Sequence, residues 1–150
     1  MRKSALTMLL LIASSTALAE DLARGRQIVE QKCDGCHTLR DDRKQPVIGL
    51  LAGGKLMGGV ASSNLTPDPS GISYYDEKLF LQVLRTGQVS ARKLKPVMNP
   101  ALFKSFSDEE LKDVFAYLRT VPAVKHRVDN TEPPSECRLC RLKHGAGESN

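Results

Sequence analysis

The sequence predicts an all-α fold, in which three to five helices are joined by long loops. Two segments, near 76–86 and 107–121, repeat apolar residues with the period typical of amphipathic helices. Stretches rich in Gly and Pro separate the helical segments and indicate loops. No segment shows the period-2 alternation expected of β-strands. Helices joined by long loops are therefore the expected architecture.

The first nineteen residues are typical of an export signal. Arg2 and Lys3 form a basic start, a mostly apolar stretch follows from Ala5 to Leu18, and Ala17 and Ala19 provide a small-x-small cleavage site. The apolar stretch is shorter than the roughly 20 residues that a membrane-spanning helix needs. We therefore expect cleavage after Ala19 and a periplasmic location, with no transmembrane segment in the processed chain.

The processed chain would comprise residues 20–150, enough for one domain, 20–124, followed by a tail, 125–150. Of the 22 basic residues, Arg2 and Lys3 would be lost, which leaves 20 against 17 acidic residues and a charge of +3. So small an excess of positive charge argues against nucleic-acid binding.

The first helix of the processed chain is predicted from about Asp21 to a motif at residues 33–37. Its apolar side is formed by Leu22, Gly25, Ile28 and Val29. The motif, Cys33-Asp34-Gly35-Cys36-His37, has the C-x-x-C-H pattern of c-type haem attachment. The thiols of Cys33 and Cys36 can add across the two vinyl groups of one porphyrin, while His37 binds the iron as proximal ligand. We therefore predict one covalent haem c at this motif.

Two other readings of the cysteine pair remain open at this point. A C-x-x-C pair can form a redox disulfide, or it can supply half of a zinc ribbon whose other half would be Cys137 and Cys140. About 100 residues separate the two pairs, whereas a zinc ribbon usually has a linker of roughly 15–20 residues. The spacing thus favours haem attachment over zinc.

A long loop, rich in Gly and Pro, is predicted from Thr38 to about Ser73. The next helix is expected near Asp76 to Thr86, with Gly87 placed to cap its C-terminus. Its inward residues are Leu79, Phe80, Val83 and Leu84.

The last helix has the clearest boundaries in the sequence. Ser107 and Glu110 form a capping-box pattern at its start, and Val121-Pro122 ends it. Its apolar residues recur at i, i+3, i+4 and i+7: Leu111, Val114, Phe115 and Leu118.

Taken together, these segments resemble the class I cytochromes c, and among them the cytochrome c domains of periplasmic dehydrogenase electron-transfer subunits. The resemblance covers about Asp21 to Val124. It rests on Gly25, the motif at 33–37, Leu51-Ala52-Gly53-Gly54, the segment Ser63 to Ile72, Pro96-Val97-Met98, and Asp113 to Pro122. It implies the cytochrome c fold and a non-enzymatic electron carrier. Relatives often have three haem domains, whereas this chain has one C-x-x-C-H motif, which indicates a single module.

The resemblance also implies a sixth ligand to the iron. Only Met57 and Met98 remain after signal removal, and Met98, between the second and last helices, lies where the family presents its ligand. A thioether suits electron transfer because it favours the ferrous state. Met98 is therefore expected to bind the iron opposite His37, with Met57 or a packing role for Met98 as alternatives. Asn99 stands where many relatives have Pro.

Three supporting roles are implied more loosely by the family. The Pro46 carbonyl could accept the second ring N–H of His37, although Pro46 could equally be a turn residue. Gly25 would let the first helix approach Tyr117 or Phe115 of the last. A further pair, Tyr74 and Tyr75, could bond a haem propionate or simply pack.

Basic residues surround the expected Met98 loop: Arg85, Arg92, Lys93, Lys95 and Lys104. In this family electrons pass through the exposed haem edge on that side, so a basic rim would attract acidic redox partners, although it could also be an ordinary solvated face. His126, beyond the last helix, is expected at the surface, with haem ligation as the alternative.

The tail is not explained by the family. It contains Cys137, Cys140 and His144, but Arg141 stands where a second haem motif would need His. An internal disulfide between Cys137 and Cys140 is expected in an exported chain, with a metal site that includes His144, or a reactive thiol, as alternatives.

Three functions remain possible at this point. The leading one is a periplasmic monohaem carrier of single electrons between redox partners, such as a dehydrogenase and an oxidase. The alternatives are a gas- or peroxide-reactive haem protein with an open iron site, and a redox or metal-handling protein that uses the tail cysteines.

Overall fold

The computed structural model describes residues 3–89, 92–128, 135–136 and 143–144, with side chains described within 18–89 and 93–128. Its helices are α1 (Lys3–Lys32), α2 (Asp34–His37), α3 (Glu77–Thr86) and α4 (Asp108–Leu118), with a 3₁₀ helix at Pro100–Phe103. The predicted all-α class is confirmed. The start of the first helix differs, since α1 begins at Lys3 and continues through the predicted cleavage position.

The described residues also contain three antiparallel pairs of two-residue strands. They are β1 (Leu56–Met57) with β2 (Val60–Ala61), β3 (Gln88–Val89) with β4 (Arg92–Lys93), and β5 (Ser135–Glu136) with β6 (Lys143–His144). These short strands were not predicted, because two residues are too few to show alternation. Gly58 and Gly59, with φ of 58° and 80°, form the turn between β1 and β2, where both positions need positive φ.

Helix α3 begins and ends where its capping residues predict. The Asp76 carboxylate accepts a hydrogen bond from the Leu79 N–H at 2.7 Å, which satisfies a free donor of the first turn. At the other end Gly87 adopts a left-handed φ of 70°, and its N–H donates to the Val83 carbonyl at 2.8 Å. Three of the four predicted inward residues are buried and the other, Leu79, packs partly buried against the core.

Helix α4 carries the predicted capping box. The Glu110 N–H donates to Ser107 Oγ at 3.1 Å, and the Ser107 N–H donates to the Glu110 carboxylate at 2.7 Å. Leu111, Val114 and Leu118 are buried along one face of α4, as their spacing predicts.

Helices α1 and α4 cross in close contact at Gly25. A Cβ at this position would lie 2.0 Å from the carbonyl oxygen of Asp113 and 3.0 Å from the nitrogen of Val114. The crossing thus requires a glycine, as the family resemblance implied, but the close neighbour is the α4 backbone rather than the aromatic ring of Tyr117 or Phe115. Arg24 reinforces the crossing, because its Nε donates to the buried carboxylate of Asp113.

The hydrophobic core lies among α1, α3, α4 and the loop segments around Leu51 and Ile72. Within the described ranges, none of the helices is both long and apolar enough to cross a membrane.

Candidate haem-binding site

An apolar cleft opens beside the C-x-x-C-H motif. It encloses about 1040 Å³, part of which is open to solvent. Helix α2 contributes Cys36 and His37 to its wall, α3 contributes Phe80, Val83 and Leu84, and the remaining lining includes Leu65, Ile72, Leu94 and Phe103. A largely apolar cleft lined by the Cys36 thiol and the His37 imidazole, with Cys33 buried outside its lining, suits an iron porphyrin, whose macrocycle is flat and apolar.

His37 lies at the end of α2, buried at 7% exposure. Its Nδ1 lies 2.7 Å from the carbonyl oxygen of Ser63, and a carbonyl can only accept a hydrogen bond, so Nδ1 carries the proton. Nε2 is then the free nitrogen for a metal. Burial lowers the pKa of His37 and outweighs the opposing effect of the Ser63 hydrogen bond, so the ring is neutral at pH 7. A neutral, oriented imidazole is the form that binds iron.

The partner of His37 is not Pro46, for which accepting the ring N–H was one of two possible roles. Pro46 instead forms an isolated antiparallel bridge with Arg40, beside the turn at residues 42–43. Ser63, which follows the β1–β2 hairpin, supplies the carbonyl instead. No residue type marks a backbone carbonyl as an acceptor, so the sequence contained no signal for this contact.

The two motif cysteines differ in their surroundings. Cys33 is buried at 7% exposure, and burial, assisted by Cys36 and Asp34, raises the pKa of its thiol to about 12. Cys36 is partly exposed and lines the cleft. A buried thiol with a raised pKa is a weaker nucleophile at pH 7 than an exposed one. Among the residues that the structure describes, no cluster of three or more His, Cys, Asp or Glu side chains could hold a metal ion.

The two variable positions of the motif are anchored by neighbouring side chains. Asp34 accepts hydrogen bonds from Thr38 Oγ1 at 2.6 Å and from Arg40 at 2.7 Å. Partial burial opposes ionisation of Asp34, yet these two bonds lower its pKa below the usual value. Lys55 donates from Nζ to the carbonyl of Gly35 at 2.6 Å. The motif is thereby fixed to the loop that follows it.

The structure brings both candidate methionines to the cleft. Met98, partly buried, follows a turn in which its N–H donates to the Lys95 carbonyl at 2.9 Å. Asn99 then caps the 3₁₀ helix by accepting from the Ala101 N–H at 2.9 Å, which gives a role to the residue that replaces the usual Pro. Met57, on β1, lines the same cleft. Placement alone therefore leaves both methionines as possible ligands opposite His37.

The predicted basic rim changes in composition. Arg85 is engaged elsewhere, since it donates to the carbonyls of Phe103 and Phe106 and to the carboxylate of Asp108, each at 2.7 Å, and so ties α3 to the chain before α4. The side chain of Arg92 lies outside the described side chains. We define the cationic rim as Lys95 and Lys32, which line the cleft, together with the exposed Lys93 and Lys104. Lys32 was missed, although its position next to Cys33 could have suggested it.

The aromatic pair and His126 take the following positions. Tyr75 lines the cleft, and Tyr74 packs edge-on against Tyr75 with ring centroids 4.7 Å apart. Both rings are buried.

His126 is partly buried rather than at the surface, because its Nδ1 lies 2.7 Å from the Ala52 carbonyl. It is not among the described residues that line the cleft, so the structure gives no support to haem ligation by His126. Cys137 and Cys140 lie outside the described residues, as does the side chain of His144.

Comparison with known proteins identifies the same region of the chain. The family model described as cytochrome c matches residues 22–122. One curated relative is the fructose dehydrogenase cytochrome subunit of Gluconobacter japonicus, which is 29% identical over 136 residues. The match covers 78% of this chain and 27% of the relative, so the chain spans about a quarter of that protein's length.

Proposed function

The chain belongs to the cytochrome c family, hence to electron-transfer proteins with covalently attached haem c, and from this premise we propose that it is a periplasmic monohaem carrier of single electrons. It would pass them between redox partners such as a dehydrogenase and an oxidase, without catalysing a reaction of its own. The observation that carries this proposal is the meeting of His37 and Met98 in one apolar cleft beside the C-x-x-C-H motif.

In this proposal Cys33 and Cys36 hold the haem by thioether bonds and His37 binds the iron through Nε2. When bound, the haem supplies a one-electron iron couple whose potential depends on the axial ligands. Met98 would supply the iron with a soft sulfur donor, and the apolar walls would limit the access of water. The chain's own contribution would thus be a set of ligands that the fold holds in place.

The cationic rim supports a partner with an acidic docking surface. Lys32 and Lys95 line the cleft together with the exposed apolar residues Val97 and Leu102. Apolar contact surrounded by positive charge suits a transient redox complex, in which charge directs the approach. The dehydrogenase in the name of the curated relative suggests one class of electron donor.

The location and the tail complete the proposal. We propose cleavage after Ala19, a haem domain at 20–124 and a tail at 125–150 whose Cys137 and Cys140 form a disulfide. The last point is supported by the proposed export, because paired thiols in an exported segment are normally oxidised. A metal site with His144 remains the competing outcome.

Expression with the haem maturation machinery tests attachment and processing on one sample. We expect a denaturation-resistant haem stain, and an intact mass that corresponds to residues 20–150 plus one haem, with no thiol open to labelling before reduction. Haem that extracts into acidified organic solvent would refute the attachment. Free thiols with one equivalent of zinc or copper would refute the disulfide.

A matched pair of leucine substitutions tests the sixth ligand, since Leu is close to Met in volume. We expect Met98→Leu to open the iron to carbon monoxide and to lower the potential by a sizeable part of the about 0.8 V that axial ligands span. Met57→Leu should do neither. The reverse result would assign the ligand to Met57. Rapid carbon monoxide binding by the unmodified protein would instead favour the gas-reactive alternative.

A further inference from the structure

Asn64 is a buried side chain that joins two distant parts of the chain. The residue is 2% exposed and connects the loop after β2, to which it belongs, with the segment Val124–His126, which we call the C-terminal strap. Nδ2 donates to the carbonyls of Val124 at 2.8 Å and His126 at 3.1 Å, with Ser70 Oγ at 3.3 Å. Oδ1 accepts from the N–H of Thr66 at 2.9 Å and from its hydroxyl at 2.8 Å. Both ends of the amide are therefore engaged.

The peptide unit between Ser63 and Asn64 is the one whose carbonyl meets His37. That oxygen accepts from His37 Nδ1 at 2.7 Å. On another side the peptide packs on Gly53, where a Cβ would come within 2.6 Å of the Ser63 carbonyl carbon and 2.7 Å of the Asn64 nitrogen. The N–H of Gly53 in turn donates to the His37 carbonyl at 2.8 Å. The carbonyl that orients the histidine is thus held by Gly53 and by the side chain of Asn64.

We propose that Asn64 is a positioning residue that tunes the reduction potential of the iron by fixing the Ser63 carbonyl on His37. The inference rests on the proposed ligation of iron by His37. A ring N–H that donates to a fixed carbonyl makes the imidazole a more basic ligand, which stabilises the ferric state. Loss of the Asn64 contacts frees the carbonyl, weakens the hydrogen bond and raises the potential. The C-terminal strap is coupled to the iron through the same amide.

The test compares Asn64→Ala with Ser107→Ala in the haem-loaded full chain. Both variants remove hydrogen bonds and reduce stability, but Ser107→Ala breaks only the cap of α4, a bond to the Glu110 N–H. Neither substitution adds charge. We expect Asn64→Ala to shift the ferric to ferrous equilibrium about tenfold toward the ferrous state, which equals about 59 mV for a one-electron couple. The His37 ring N–H of the ferrous protein should also exchange faster with solvent, as measured by NMR. Ser107→Ala should change neither quantity.

A second variant covers the possibility that Asn64→Ala does not fold. Thr66→Val keeps the volume of a fully buried residue but removes the hydroxyl that bonds Asn64 Oδ1 and the Val124 N–H at 3.1 Å. We expect a smaller shift in the same direction. An unchanged potential and unchanged N–H exchange in whichever variant folds would overturn the proposal and leave Asn64 a structural residue. Failure of the proposed function is recognised separately, since it would appear in the unmodified protein as a missing thioether-bound haem or a spectrum without histidine ligation.

Discussion

Substitution of Gly25 by Ala is expected to destabilise the protein, although alanine is the better helix former. The new Cβ would lie 2.0 Å from the carbonyl oxygen of Asp113 and 2.5 Å from its carbonyl carbon. Both are backbone atoms of α4, so neither can rotate out of the way as a side chain could. The two helices must therefore move apart by roughly 1 Å at their crossing. Such a gap removes about a quarter to a half of the dispersion attraction between the atoms of α1 and α4 that face each other there.

The expected magnitude follows from two opposing contributions. Overpacking a tight contact costs about 1–3 kcal/mol, and a clash with backbone belongs at the upper end. Alanine favours the helical state by about 1 kcal/mol relative to glycine, which offsets part of this cost. The net loss in free energy of unfolding is about 2 kcal/mol, which lowers the midpoint of thermal unfolding by about 6–12 °C for a domain of this size.

The measurement is thermal and denaturant unfolding of the haem-loaded protein, followed by circular dichroism. Gly35→Ala is the matched control, because a Cβ at Gly35 would meet no atom within 4 Å. The control should be at least as stable as the unmodified protein. If Gly25→Ala were as stable as the unmodified protein, the two helices could accommodate a Cβ at their crossing, and the expected steric clash would be refuted.

Two further predictions concern charges. Asp34→Asn should reduce stability at pH 7 by about 0.2–1 kcal/mol, because it removes a partly exposed ion pair with Arg40. The pKa of Asp34 is lower in the folded protein than in the unfolded chain. Its contribution to stability is therefore complete above the unfolded pKa of about 3.9 and is lost as the pH falls through the folded pKa. A stability difference between Asp34→Asn and the unmodified protein that persisted in strong acid would contradict this. Lys95→Glu should slow reduction by an acidic partner at low salt and lose most of its effect near 0.15 M salt, where the Debye length is about 8 Å. Lys112→Glu, on α4 beside Glu109, is the control, and equal slowing by both variants would remove the docking role of the cationic rim.

The parts of the fold that the sequence predicted are those set by local interactions. The ends of α3 and α4 depend on residues within one turn of each end, such as Asp76, Gly87 and Ser107, and the structure places them as expected. The β1–β2 hairpin was missed because each strand has two residues, although the adjacent pair Gly58-Gly59 was a usable turn signal.

The site was predictable only where residue type decides the chemistry. Cys36, His37 and Met98 were predicted from the types of their side chains, and the structure brings all three to the cleft. Their roles in binding the haem stay predictions. The carbonyl of Ser63 was not identified, since every residue has one. The roles of Asn64 and Asn99 likewise depend on neighbours that only the folded chain provides.

If the chain is exported as proposed, the distant contacts of the C-terminal strap influence the order in which the site is assembled. His126 bonds partners 62 and 74 positions earlier in the chain, at Asn64 and Ala52. When the N-terminus of a chain emerges first, the C-x-x-C-H motif is exposed well before residues 124–126 follow. Contacts between residues so far apart in the sequence also form late in folding. We expect an interval in which folding has not yet buried the Cys33 thiol. During this interval the Ser63 carbonyl, which bonds His37, is not yet fixed by the Asn64 side chain. Thioether formation and the final setting of the iron ligand would thus be separate steps in time, the first open to an assembly enzyme and the second completed by the chain alone.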